Sequence, residues 1–358
     1  MARVVVPFGP QHPVLPEPVH LTLICEEDLV KQAIPAIGYC HRGIEKLAEQ
    51  KPFQQVPFLV ERICGICNFM HAMAYCQAVE KILKLEVPPR AKYLRVIWAE
   101  LNRMRSHLLY LGLAADAIGF ESVFMQFWRV RERVIDLIEE TTGARIILST
   151  NIIGGVRRDI SQELLIKIDK VLNEIKPEIA ELGHVLLNDY SIKMRTKEKG
   201  VLSKDDAHKL GAVGPTARGS GINKDNRTIG YAAYGELDFN PIVEQDGDAY
   251  ARTLVRYKET LQAMDLIHQA IKKLPGGEIA KQIDAWPNGE AFEIVEQPRG
   301  EVFYYVKGNG TINLERMRVR TPTFSNIPSL LHMLEGCHVE DVPIITLSID
   351  PCISCTER

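Results

Sequence analysis

The stretch Leu94-Arg95-Val96-Ile97-Trp98-Ala99-Glu100-Leu101-Asn102-Arg103-Met104-Arg105-Ser106-His107-Leu108-Leu109-Tyr110-Leu111 decides the fold class. Leu94, Ile97, Leu101, Met104, Leu108 and Leu111 recur at spacings of three and four, which draws one apolar stripe along a long helix. The same spacing returns in Leu164, Ile168, Val171, Ile175, Ile179 and Leu182, and in Leu254, Tyr257, Leu261 and Met264. Helices striped in this way bury their apolar faces against one another, so the sequence predicts a bundle of long helices.

The pattern changes on either side of the bundle. Val19, Leu21, Leu23 and Cys25 alternate with outward positions, and Glu26-Glu27-Asp28 turns the chain into a second strand near Lys31 to Ile37. Residues 1–45 are therefore expected to form a small antiparallel β region, and residues 46–290 the helical bundle. Within the bundle, about 196–247 reads as a loop-rich insertion. Its glycines, in Gly211-Ala212-Val213-Gly214-Pro215 and Arg218-Gly219-Ser220-Gly221, lack the Lys-Ser/Thr and the strand–glycine–helix context of a phosphate cradle. Val302 to Val306 and Thr311 to Leu314, flanking Gly308-Asn309-Gly310, predict a β-hairpin in a C-terminal segment over 291–358. The expected class is α+β, mainly α-helical.

With 358 residues and 46% hydrophobic content, the chain can bury a large core. A formal net charge of -3 argues against a nucleic-acid partner, which calls for a basic patch. No apolar run is long enough to span a bilayer, and the N-terminus lacks the features of a signal peptide. These readings predict a cytoplasmic chain that meets a membrane only through partners.

Without secretory features, eight cysteines are read as metal ligands or redox groups before disulfides. Cys25, Cys40, Cys76 and Cys337 stand alone and are expected to be small buried apolar residues. The other four form two C-x-x-C pairs, in Glu61-Arg62-Ile63-Cys64-Gly65-Ile66-Cys67 and in Asp350-Pro351-Cys352-Ile353-Ser354-Cys355. Four thiolates suit zinc, nickel or an iron–sulfur cluster, and spacing within the pairs does not choose among them. Structural zinc usually staples a short stretch. Here most of the chain separates the pairs, which places the site in the core where the two ends meet.

Arg62-x-Cys64-Gly65-x-Cys67-x-x-x-His71 and Asp350-Pro351-Cys352-x-x-Cys355-x-x-Arg358 resemble the two signatures of NiFe hydrogenase large subunits. A second resemblance, to the quinone-site subunit of respiratory complex I, rests on four stretches. These are Gly9-Pro10-Gln11-His12-Pro13, His41-Arg42-Gly43-Ile44-Glu45-Lys46, Ser106-His107-Leu108-Leu109 and Gly214 to Gly221. A chain carrying both sets is similar to the Ech-type, energy-converting branch of membrane-bound hydrogenases.

The resemblance implies the NiFe hydrogenase large subunit fold and a Ni–Fe centre with CO and cyanide on the iron. Cys67 and Cys355 would bridge the metals, and Cys64 and Cys352 would be terminal on nickel. Arg299 matches the arginine that overhangs the open position, with Pro298 and Asp350 beside it, Asp350 holding the guanidinium. Glu45 matches the carboxylate that relays protons, in a role that burial would suit by raising its pKa. His71, one helical turn after Cys67, is expected to bond a cysteine sulfur. Asp116 and His107 match complex I positions. Arg358 stands where many hydrogenases place a metal-binding histidine, and it cannot ligate a metal.

The implied reaction is reversible reduction of protons to H2 with electrons from reduced ferredoxin. The implied partners are a small subunit holding an iron–sulfur cluster, a ferredoxin-like electron-transfer subunit and integral membrane ion-translocating subunits. Such a chain would sit on the cytoplasmic side of the membrane. The competing readings are a quinone- or sulfur-reducing relative and a non-catalytic protein stapled by structural zinc.

Overall fold

Residues 3–358 are described by the computed structural model. The chain opens with three strands, β1 (Arg3–Phe8), β2 (His20–Glu26) and β3 (Leu29–Ala36), which pair antiparallel in that order. On β2, Leu21, Leu23 and Cys25 are buried between half-exposed neighbours, the period-two pattern of a sheet covered on one face. The covering comes from near the other end of the chain, where Leu330, Met333 and Leu334 complete a small separate core. The second strand starts two residues before the expected Lys31, because the turn is tightened by Glu27 at φ 58°.

The main body follows as α1 (Ile44–Glu49), α2 (Val56–Val60), α3 (Asn68–Leu83), α4 (Pro89–Asp116) and α5 (Glu121–Thr142). Next come the two-residue strands β4 (Asn151–Ile152) and β5 (Gly155–Val156), then α6 (Gln162–Asn188), α7 (Tyr190–Thr196), α8 (Lys204–Lys209), α9 (Gly214–Arg218) and α10 (Ala249–Lys273). Helix α4 is the axis, packed between α5 and α10, and α6 closes on both of these neighbours. The three apolar stripes fall on α4, α6 and α10. Two long helices, α3 and α5, were not anticipated, although Val123, Phe127, Val130 and Val134 give α5 a buried face. The segment 196–247 is not bare loop, since it carries α8, α9 and two short 3-10 turns.

Strands β6 (Asn288–Gln297), β7 (Gly300–Asn309) and β8 (Leu314–Arg320) form a second antiparallel sheet. The expected hairpin is β7–β8. Strand β6 adds a second hairpin, whose two-residue turn is Pro298-Arg299, because Gln297 pairs with Gly300. The chain ends through α11 (Pro322–Leu334), α12 (Val342–Ser348) and α13 (Ile353–Thr356). Among the single cysteines, Cys25 and Cys76 are buried as read, but Cys40 and Cys337 are partly exposed. Cys40 lies in the loop between β3 and α1 and Cys337 follows α11, outside the packed elements.

A stripe normally implies a wet opposite face, and α4 and α10 depart from this. Arg95, Glu100, Arg103, Arg105 and His107 on α4 are all buried, as are Arg252, Arg256 and Glu259 on α10. Buried charge needs opposite charge at close range. Arg218 of α9 reaches Glu259 at 2.8 Å and Glu296 at 2.7 Å, and Arg227 reaches Asp225 at 2.9 Å. Arg103 and Arg227 share Glu100, whose Oε1 also accepts the Tyr234 hydroxyl. Burial pushes His107 down to about 4, so a neutral ring meets Glu259 at 2.9 Å. This ionic layer ties α4, α10, α9 and β6 together. Arg218→Met should lower stability by ~3–5 kcal/mol, because it strands three carboxylates around one lost cation. Thermal unfolding would show a melting temperature several degrees lower, and an unchanged value would mean the layer is not structural.

Candidate metal centre

The first cysteine pair sits on a turn entered through the 3-10 helix Glu61–Ile63. Cys64 is extended and Cys67 precedes the first residue of α3. Asn68 locks the turn by donating from Nδ2 to the carbonyls of Gly65 (2.9 Å) and Ile146 (2.8 Å). The second pair begins at Asp350, held in the left-handed region at φ 53°. Cys352 then caps α13, its Sγ accepting from the Cys355 amide at 3.4 Å. Its own amide donates to Thr323 Oγ1 at 3.0 Å.

The two turns meet in the interior. Cys67 Sγ lies 3.3 Å from Cys355 Sγ, and Cys64 Sγ lies 3.2 Å from Cys352 Sγ. The sulfurs of Cys64, Cys67 and Cys355 are mutually within 4.8 Å, and all four cysteines are buried. Such crowding constrains ionisation. Burial opposes charge on Cys67, yet its three sulfur neighbours and His71 hold its thiol well below the usual range. Burial pushes Cys355 up. Without a cation, one thiolate forbids the next, whereas a divalent metal lets all four ionise. The donor set therefore fits a soft or borderline metal.

Other side chains complete the surroundings. His71 places Nε2 at 3.4 Å from Cys355 Sγ and Nδ1 at 2.7 Å from the Tyr304 hydroxyl. Arg299 donates from Nε to the Asp350 carbonyl (2.8 Å) and from Nη2 to Asp350 Oδ1 (2.7 Å). Its third bond goes from Nη1 to Ser106 Oγ at 3.2 Å. Burial opposes the charge on Arg299, but Asp350 and the neighbouring thiols keep it firmly protonated. Pro298 and Arg299 form the β6–β7 turn, and α9 packs directly on it. A Cβ on Gly214 would lie 2.3 Å from the Arg299 carbonyl oxygen, so this glycine serves a backbone contact.

Glu45 is placed differently from the buried carboxylate anticipated. Its side chain is 16% exposed and pairs with Arg318 at 3.1 Å and Arg358 at 3.2 Å, while Oε1 accepts the Val319 amide at 3.0 Å. Two cations flank its carboxylate, because β8 and the segment ending at Arg358 bring arginines to α1. Asp116 is exposed at the end of α4 and His107 is committed to Glu259, so neither reaches the cysteines' hydrogen-bonding partners.

The sequence reading passed over several groups. Arg42 donates to the carbonyls of Arg62 (2.7 Å), Ile63 (2.9 Å) and Ser354 (3.0 Å), stapling both cysteine segments. Glu17 accepts the amides of Ile353 and Ser354 at the start of α13. Glu61, beside a charged Arg62, looks like a surface acid but is buried. It accepts from the Ser149 amide (3.0 Å) and hydroxyl (2.7 Å). Burial pushes it up to about 7.

Known proteins bear on this arrangement. A family model described as "Nickel-dependent hydrogenase" matches residues 42–115. Another, described as "Respiratory-chain NADH dehydrogenase, 49 Kd subunit", matches 117–286 and 279–358. The chain belongs to the family that joins NiFe hydrogenase large subunits to this complex I subunit. Among its relatives, the "Carbon monoxide-induced hydrogenase" of Rhodospirillum rubrum is 39% identical, and the alignment spans 100% of both chains. The "Membrane-bound hydrogenase subunit alpha" of Pyrococcus furiosus is 38% identical over 99% of this chain and 87% of that protein. A solved structure of an archaeal membrane-bound sulfane sulfur reductase superposes with a TM-score of 0.94 at 32% identity, covering 99% of this chain and 98% of the other. No helix among the described residues is long and apolar enough to cross a membrane.

Glu61 generates a test. Its folded value is raised, so the fold prefers the protonated acid. That contribution is complete below about 4.5 and is lost as pH rises through about 7. Glu61→Gln should remove this dependence. Relative to wild type, the variant should gain roughly 3 kcal/mol between pH 5 and pH 8 in chemical denaturation. Parallel stability curves for the two proteins would contradict the assignment.

Proposed function

We propose that this chain is the catalytic subunit of an energy-converting NiFe hydrogenase, reducing protons to H2 reversibly with electrons from reduced ferredoxin. One observation carries the reading. Four cysteine sulfurs, paired across 288 residues of chain, share a buried site beside the buried guanidinium of Arg299. A nickel–iron centre with CO and cyanide on its iron would supply an open coordination position and a place to hold electrons. Cys64, Cys67, Cys352 and Cys355 would hold it. The contacts Cys67–Cys355 and Cys64–Cys352 bring the four sulfurs close enough to serve one such centre.

The chain's own residues then have distinct tasks. Arg299, fixed by Asp350 and by the Pro298 turn, presents a permanent charge that polarises and orients what enters the site. A thiolate held by such a metal would remain able to take a proton, and His71, bonded to Tyr304, would tune Cys355. Glu45, at the boundary between this interior and solvent, passes protons outward. Electrons come from a small subunit with an iron–sulfur cluster, since the described residues gather no second metal-binding group of this kind. That subunit, a ferredoxin-like partner and integral membrane ion-translocating subunits would hold the chain at the cytoplasmic side of a membrane.

The match to the complex I subunit and the likeness to a sulfane sulfur reductase favour a second reading, reduction of a quinone or sulfur compound on the same scaffold. Exchange of D2 with water protons separates the two. The isolated complex should catalyse exchange, and Cys355→Ser should abolish it; a wild-type complex without exchange would overturn the hydrogenase reading. Glu45→Gln should keep nickel and lose turnover by at least ~10²-fold. Normal turnover in that variant would remove Glu45 from the proton route.

A further inference from the structure

Arg105 of α4 is a buried cation without an acid. It is 1% exposed, and all four of its hydrogen bonds end on backbone carbonyls. Nη1 donates to Arg145 (3.1 Å) and Ile146 (3.0 Å), and Nη2 to Gly65 (3.0 Å) and Ile66 (2.7 Å). Nε has no partner. Most other buried arginines have a carboxylate, as Arg95 has Glu80 at 2.6 Å and Arg299 has Asp350 at 2.7 Å. Arg252 also lacks one, but its acceptors are Ser348, Gly247 and Gly200.

Carbonyl dipoles solvate a charge without cancelling it, and an unbalanced buried ion is costly. The anions that favour the charge on Arg105 flank two of the gripped carbonyls. Gly65 and Ile66 are the two residues between Cys64 and Cys67. Burial and the neighbouring Arg131 push Arg105 down to about 10, and the anions acting in the opposite sense are the thiolates of Cys64 and Cys67.

Holding the turn in shape is not Arg105's distinctive task. Asn68 makes the same connection, from Nδ2 to the carbonyls of Gly65 and Ile146. The turn is tied twice to the 145–146 segment, once by a neutral amide and once by a cation. Beyond two further bonds, to the adjacent carbonyls of Ile66 and Arg145, what Arg105 adds is charge.

We infer that Arg105 is a positioning residue that sets a fixed positive charge against the Cys64 and Cys67 thiolates and thereby raises the reduction potential of the metal centre they hold. The inference rests on the hydrogenase reading above. Its sign is fixed by electrostatics, because a nearby positive charge favours whichever form carries one more electron. The strength is set by the low-dielectric surroundings, where unit charges interact more strongly than in water.

The test uses the intact complex. Nickel content is measured first, and the centre is then titrated with reductant and followed by its own spectroscopic signals. Arg105→Gln should lower the midpoint, changing the oxidised-to-reduced ratio at least tenfold at the wild-type midpoint, about 59 mV for one electron. Arg105→Lys keeps the charge while losing the fork and should hold the wild-type midpoint. A nickel-replete Gln variant with an unchanged midpoint overturns the inference. Should the Gln variant take up no nickel, the Lys variant decides alone. An unchanged midpoint supports the charge role, and a tenfold fall assigns the effect to geometry and overturns it. A wild-type complex without nickel fails at the first step and sinks the hydrogenase reading itself, taking this inference with it.

Discussion

Four sulfurs that repel once ionised are held in contact inside the protein, and the rest of the architecture serves that constraint. Cys67 and Cys355 are 3.3 Å apart, and Cys64 and Cys352 are 3.2 Å apart, although each pair spans nearly the whole chain. A dication can relieve the repulsion, but it cannot gather the ligands. The fold does that by returning its C-terminus to the turn ahead of α3. Arg42 and Glu17 fasten this closure from the N-terminal side, with one guanidinium on the carbonyls of both cysteine segments and one carboxylate on the amides that open α13.

The helical body has a matching purpose. An axial helix with charged residues on its buried face is costly unless each charge finds an opposite. The layer from Glu100 through Arg218 and Glu259 to Glu296 meets that cost and fixes β6 against α4 and α10. With β6 fixed, the Pro298-Arg299 turn can stand beside the cysteines. The close approach of Gly214 to the Arg299 carbonyl keeps it there. Position at the metal site is thus set by interactions well outside it.

Much of this was legible in the sequence, for identifiable reasons. The apolar stripes of α4, α6 and α10 report helices because period is a local property, and the paired cysteines report a site because their chemistry is local as well. Asp350 and Arg299 were read together from resemblance, and the structure puts them in direct contact. What escaped depends on tertiary placement. Glu61, beside Arg62, and Arg105, two residues from Arg103, carry no sign of burial, since charged residues near other charges look solvated. Strand β6 escaped because Asn288–Gln297 mixes polar and apolar residues without clean alternation. The burial anticipated for Glu45 depended on neighbours that turned out to be Arg318 and Arg358.

The central claim is that the four cysteines hold nickel and iron rather than zinc. It is tested most directly by infrared spectroscopy of the complex purified from its native host, with metals determined on the same sample. The account predicts sharp bands from metal-bound CO and cyanide, with nickel near one per chain. Zinc at that stoichiometry without those bands would contradict it and leave the cysteines as a structural staple.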